Sequence, residues 1–173
     1  MLYDHILQVL DFISTFFFIC QVIVIGYFAH ATNHELRPYF ERHNMENEVR
    51  HAKLVYGYLC GMAGIAAVNC VTVSVSTSHK KRLVHRIAYA FALSSWASVM
   101  GLGIAVSVYV SNWWKLFEER GLEHLMRLSQ GIAATVIGIL VLGWLLMSLN
   151  LFGALKSRLH EEVVELQSRQ ADV

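Results

Sequence analysis

The sequence predicts an all-α fold: an integral membrane four-helix protein with short amphipathic connecting segments and a C-terminal amphipathic helix. Of its 173 residues, 55% are hydrophobic and only 16% are charged, whereas a soluble domain carries about 25% charged residues. The charges are also unevenly placed, clustering between four long uncharged runs. Stretches such as FFFICQVIVIGYFA and AATVIGILVLGWLL are apolar on every face. A membrane β-barrel instead needs strands of about ten residues that alternate in polarity, so helices are the expected spans.

The uncharged runs extend from Phe12 to Ala29, Leu54 to Ser78, Ile87 to Trp114 and Leu128 to Leu155. A helix rises about 1.5 Å per residue, so about 20 apolar residues cross the hydrocarbon layer. This sets spans near 6–29, 54–77, 87–112 and 129–155 in a single membrane domain covering 1–173. The first span reaches full length only if Ile6 to Leu10 join it, which draws Asp11 inside the membrane boundary. An acid there must reach toward the headgroups or a partner chain. The opening MLYDHILQVLDF starts with an acid and no Lys or Arg precedes Arg37, so it reads as a true span and not as a signal or transit peptide.

Pro38 falls in a connecting segment, which leaves the spans without a proline kink and counts against a transporter built on broken helices. That segment, ELRPYFERHNMENEVRHAK, mixes both signs of charge. A helix starting after Pro38 is expected to lie at the surface or meet a soluble partner. The tail 156–173 places Leu159, Val163 and Leu166 on one helical stripe, with acids matching bases, and suits a partner protein better than anionic lipid. No internal repeat is read between the two halves.

Four spans put both termini and the loop around residues 77–86 on one face. HKKRLVHR packs Lys80, Lys81, Arg82 and Arg86 into that loop without an acid. Short loops rich in Lys and Arg stay on the insertion side, so both termini are expected in the cytoplasm, or in the matrix of a mitochondrion. Cys20, Cys60 and Cys70 fall inside spans and read as small packing residues. No Asn-x-Ser/Thr sequon is present.

In lipid, helices associate by close packing, and small residues three and four apart mark the seams. Gly57, Gly61 and Gly64 form such a stripe on the second span, with Val68 and Val71 continuing it. Ser94, Ser98, Gly101 and Ala105 form one on the third, and Gly131, Thr135 and Gly138 one on the fourth. These stripes are expected to close the bundle on itself or to dock a foreign helix. The first span presents Phe16, Phe17, Phe18, Ile19, Val22, Ile23 and Ile25 and reads as lipid-facing or docked late. Trp113 and Trp114 fit an interfacial belt, whereas Trp96 lies deeper, where its indole N–H needs an acceptor. Gln21, Asn69, Ser94, Ser95 and Ser98 are the polar groups at depth, and none is ionisable. They are expected to bond across helices rather than line a pore.

Nine histidines are the plausible chemistry. A bis-imidazole haem needs two from different helices at similar depth; His5 with His85 and His30 with His51 are the candidate pairs. Each stands at a helix boundary beside charge, where a solvated histidine is expected anyway. Glu48-Val-Arg-His51 and the His30–His34 spacing resemble fragments of a carboxylate-bridged metal site, but a second Glu-x-x-His is missing. There is no phosphate loop, nucleophile elbow or Cys-x-x-Cys. A formal charge of +1 also removes the footprint of a nucleic-acid binder.

The expected function is therefore a non-enzymatic accessory or structural subunit of a larger membrane complex, with an energy-transducing, respiratory-type complex of the mitochondrial inner membrane as the favoured setting. Its expected partners are other membrane subunits and structural lipid, with no cofactor, metal or nucleic acid. The endoplasmic reticulum is the second compartment. A haem- or quinone-binding redox anchor using the histidine pairs is the first alternative. A regulatory subunit of a channel or transporter is the second.

Overall fold

A computed structural model describes the backbone of residues 2–78 and 82–171, and side chains over 12–72 and 94–146 together with Val9, Ala90, Phe91, Ser148 and Leu149. The described chain is helical and contains no strand. Helix α1 (Leu2–Ala31) passes through a π turn (Thr32–Leu36) directly into α2 (Arg37–Arg42). Three long helices follow: α3 (Glu46–Ser78), α4 (Arg82–Glu119) and α5 (Glu123–Ala171). Four helices are long and apolar enough to cross a membrane, as a multi-pass membrane protein requires. Around the bundle α1 packs on α3, α3 on α4 and α4 on α5, whereas α5 meets α1 far less.

The helices outrun the membrane. With 49 residues, α5 is about 74 Å long at 1.5 Å per residue, more than twice a hydrocarbon layer of about 30 Å. Apart from the turns at 43–45 and 120–122, the segments 30–53 and 115–127 are helical. They continue the helices of the spans, with Pro38 at the second position of α2, directly after the π turn.

Two tight turns close this end, and they are built alike. Asn44 and Gly121 both adopt left-handed backbone, at φ 53° and 67°. In the first turn Asn44 N–H donates to Glu41 O at 3.3 Å and Met45 N–H to Phe40 O at 3.0 Å. In the second, Gly121 donates to Glu118 O at 3.1 Å and Leu122 to Phe117 O at 3.0 Å. This is the Schellman arrangement, which satisfies the last carbonyls of a helix and needs a residue that tolerates positive φ. Phe117, Glu118, Glu123, Arg127 and Gly138 thus repeat Phe40, Glu41, Glu46, Arg50 and Gly61 at one constant offset. The two hairpins thus share their turn geometry.

The core follows a strict alternation of three and four. On α3 it comprises Ala52, Val55, Leu59, Met62, Ala66 and Asn69; on α5, Ser129, Ile132, Val136, Ile139 and Gly143. Those α5 positions match the first five on α3 at the same offset as the turns. On α4 the buried positions are Trp96, Val99, Gly103, Val106, Val110, Trp113 and Phe117. This is the seven-residue repeat of knobs-into-holes packing between nearly antiparallel helices. Trp113, expected in an interfacial belt, falls on this inward stripe and is buried, while Trp114 is exposed.

The small-residue stripes lie elsewhere. Gly57, Gly64, Ser94, Ser98 and Gly101 are exposed; Ala105, Thr135 and Gly138 are half-buried. Gly61 and Gly131 alone approach neighbours closely, with Leu102 and Phe28. The expectation that these stripes close the bundle gives way to a centre filled by bulky side chains. The glycines that accept knobs are instead Gly103, under Leu140 and Val136, and Gly143, under the indole of Trp96. On α1, Phe16, Ile19 and Ile23 face outward as expected of a lipid-facing helix, whereas Ile25, expected among them, is fully buried with Gln21 because α1 packs along α3.

A Cβ at Gly143 would penetrate the Trp96 ring, whereas one at Gly138 meets nothing within 4 Å. Gly143→Ala should therefore destabilise the detergent-solubilised protein by about 1–3 kcal/mol through overpacking, read as a lower thermal midpoint. Adding Trp96→Leu should restore most of the loss, and Gly138→Ala should cause none.

Candidate functional site

Two polar regions stand out, both at the turn end. The first links the hairpins. Trp113 Nε1–H donates to Glu48 Oε2 at 2.6 Å, across α4 and α3. The same carboxylate oxygen lies 3.4 Å from His51 Nδ1, and the His51 ring packs on Tyr109 at 4.8 Å. On the other side, His124 Nε2 lies 2.9 Å from Glu35 Oε2, tying the start of α5 to the π turn. Arg120 Nη1 donates to the Tyr39 hydroxyl at 3.3 Å. A charge-assisted bond to a buried indole is stronger than a neutral one, and leaving that indole unpartnered costs its desolvation. The bond to the buried indole explains Glu48, and His51 beside it, as structural groups.

The second region is a groove of about 200 Å³ between α1 and α3. Its α1 wall is His30, Asn33 and His34, its α3 wall is Tyr56 and Cys60, and Gly26, Ala29 and Ala63 make a small-residue floor. The π turn makes the α1 wall. There the Arg37 N–H reaches back to Thr32 O, which widens the helix by one residue, and Thr32 Oγ1–H donates to Phe28 O at 2.8 Å. Turns of this kind recur at functional sites. The imidazoles of His30 and His34 pack on one another with centroids 4.2 Å apart. Arg37 is not free to enter, being held by Glu41 at 2.8 Å and by Asn33 Oδ1 at 3.1 Å. Cys60, expected as a packing residue, is exposed and unoxidised in this groove.

The structure separates the haem pair His30 and His51. Cys60, on the groove wall, lies nine residues beyond His51, which at about 100° per residue places it half a turn around α3. His51 thus faces Tyr109 of α4 while His30 faces the groove. The side chains of His5 and His85 lie outside the described ones. Among the described residues no three of His, Cys, Asp or Glu converge as a metal set, so Glu48-Val-Arg-His51 and the His30–His34 pair do not meet.

Deeper in the bundle, Ser95 Oγ–H donates to Asn69 Oδ1 at 2.9 Å and joins α4 to α3, as expected of polar groups in lipid. Ser94 and Ser98 bond instead to their own helix, at Phe91 O and Ser94 O. Gln21 Oε1, Trp96 Nε1 and Ser129 Oγ are buried without a protein partner. Sequence reasoning missed the groove because its cause is a π turn, whose only local signal is the crowding of His30, Asn33 and His34 ahead of Pro38. The chain matches no known protein family, and neither a curated protein nor a solved structure matches it.

Glu48→Ala should cost about 1–3 kcal/mol by leaving the Trp113 indole unpartnered. It should also shift the thermal midpoint down, whereas Glu48→Gln, which keeps an acceptor, should retain most of the stability.

Proposed function

We propose that this protein is a non-catalytic accessory subunit of a larger membrane complex, of the energy-transducing type found in the mitochondrial inner membrane. The observation that carries this reading is the outward placement of two small-residue stripes side by side. Gly57 and Gly64 flank Gly61 on α3, while Ser98, Gly101 and Ala105 flank Leu102 on antiparallel α4, and Gly61 touches Leu102 at the seam. Close helix association in lipid depends on such surfaces, because no hydrophobic effect drives it there. A bundle whose own centre is filled by large side chains leaves them for another chain.

The exposed aromatic face of α1, with Phe12 and Phe16, is suited to lipid. The polar groups described inside the spans are uncharged, and Ser95 with Asn69 joins two helices, which supports a scaffold over a pore or pump. The proposed partners are membrane subunits and structural lipid. The proposed compartment rests on the absence of glycosylation sequons in the sequence, with both termini on the matrix side because of the HKKRLVHR loop.

Extraction in mild detergent should give a native-gel band far larger than the 19.6 kDa chain. Added side chains at Gly57 and Gly101 meet nothing within 4 Å inside the bundle. The variant Gly57→Leu with Gly101→Leu should therefore keep its thermal midpoint but leave the large band. A wild-type band of bundle size, or a doubly substituted chain still in the large band, would refute the reading.

A further inference from the structure

We propose that the groove between α1 and α3 binds the headgroup of a membrane-borne quinone. The inference does not depend on which complex the chain joins. It rests on the position, shape and donor set of the groove.

Position comes first. The nearest charged residues beyond the groove are Glu35 on α1 and Lys53 on α3, and toward the membrane interior α1 carries no charge back to Phe12. The groove therefore stands at the boundary between hydrocarbon and headgroups. Exposed Tyr27 and Tyr56 beside it are the aromatic residues expected at that depth. Ile23 and Ile19 continue outward-facing along α1 below it, a bare apolar track for an isoprenoid tail. A ligand dissolved in the bilayer reaches this site sideways, without crossing water.

Shape and chemistry then narrow the class. A volume of about 200 Å³ is below the range of pockets for drug-sized ligands, about 300–1,000 Å³, and suits a single substituted ring. Both long walls carry aromatic surfaces: the imidazoles of His30 and His34, tilted at 35° to one another, on one side, and Tyr56 on the other. Among the described residues neither imidazole is hydrogen-bonded to a protein group, so ring N–H donors remain for a ligand on the α1 wall. On the α3 wall the Tyr56 hydroxyl, which pairs with its helix neighbour Cys60, supplies one when a ligand acceptor replaces that thiol. Donors on opposite walls match a flat ring with a carbonyl acceptor at each end. A phosphate-bearing headgroup fits less well. No Lys or Arg lines the groove, and the one guanidinium nearby, Arg37, is already held by Glu41 and Asn33.

Gly26 gives a decisive variant. A Cβ there meets nothing within 4 Å, because the space in front of it is the groove itself. Gly26→Leu should fill the site without overpacking the core.

The test uses the full chain, purified free of quinone and placed in nanodiscs of neutral phosphatidylcholine. A short-chain azido-benzoquinone is photolysed on it, and the adducts are mapped by mass spectrometry. Labelling should fall within residues 26–34 and 56–63 and be competed by the unmodified short-chain quinone. Tyr56→Phe and His34→Phe should each weaken that competition about tenfold, the loss expected for one hydrogen bond. Gly26→Leu should abolish site-specific labelling while leaving the thermal midpoint unchanged. Should Gly26→Leu lower the midpoint, Ala63→Leu on the opposite helix serves as the second plug. Adducts scattered over the lipid-facing surface, or labelling that survives both plugs, would overturn the proposal. So would displacement of the probe by anionic phosphatidylglycerol in place of phosphatidylcholine, which would make this a phospholipid headgroup site.

Discussion

The structure turns on an aromatic clasp between the two hairpins. Phe40 and Phe117 stack at 5.6 Å and 15°, Phe40 packs on Trp113 at 5.4 Å, and Tyr39 meets Phe117 edge-on at 5.4 Å. Arg37, Glu41, Lys115 and Glu118 surround these rings in sequence, which puts the clasp beyond the hydrocarbon layer. Burying apolar surface is therefore driven there by water, at about 25 cal/mol per Å². Inside the membrane that drive is missing, because lipid tails are as apolar as the side chains. The clasp stands at a level where the hydrophobic effect can hold the two hairpins together, and the turns that follow Phe40 and Phe117 place both rings there.

From the clasp inward, packing takes over. The three-and-four alternation on α3, α4 and α5 sends large side chains to the centre, with Gly103 and Gly143 receiving Leu140 and Trp96. That arrangement leaves Gly57, Gly64 and Gly101 on the outside. A glycine in a membrane helix is useful wherever a backbone must be approached closely, and here the approach comes from within the bundle at Gly143 and is left open to other chains at Gly57 and Gly101. The same residue type thus does two jobs, separated only by helix face.

The π turn is the one departure from this regularity. It lets α1 pass from the span into α2 without a loop, and it offsets the register so that Leu36 and Phe40 still reach the clasp. The extra residue opens the wall carrying His30 and His34 against Tyr56. Across the bundle Glu35, within the same turn, is held to His124 of α5, where those two helices otherwise meet little. The groove thus lies between two helices and does not require a loop to form it.

The sequence by itself determined the solvent and the helices. Uncharged runs of spanning length with apolar faces all round admit no other backbone in lipid, because each peptide group must be satisfied within its own helix. Phe16 and Ile23 were legible as lipid-facing and Ser95 with Asn69 as a bond between helices, since both follow from composition at depth. The tertiary structure decided which face of each helix turns inward. In a fully apolar helix every face is permitted by polarity, so periodicity of hydrophobicity is silent and only the fit of Trp96 on Gly143 or Phe40 on Phe117 chooses. It also decided that Trp113 is buried against Glu48, that His30 and His51 point apart, and that Pro38 continues a helix. Each of these depends on the phase of one helix relative to another, a quantity set by packing between residues far apart in the chain.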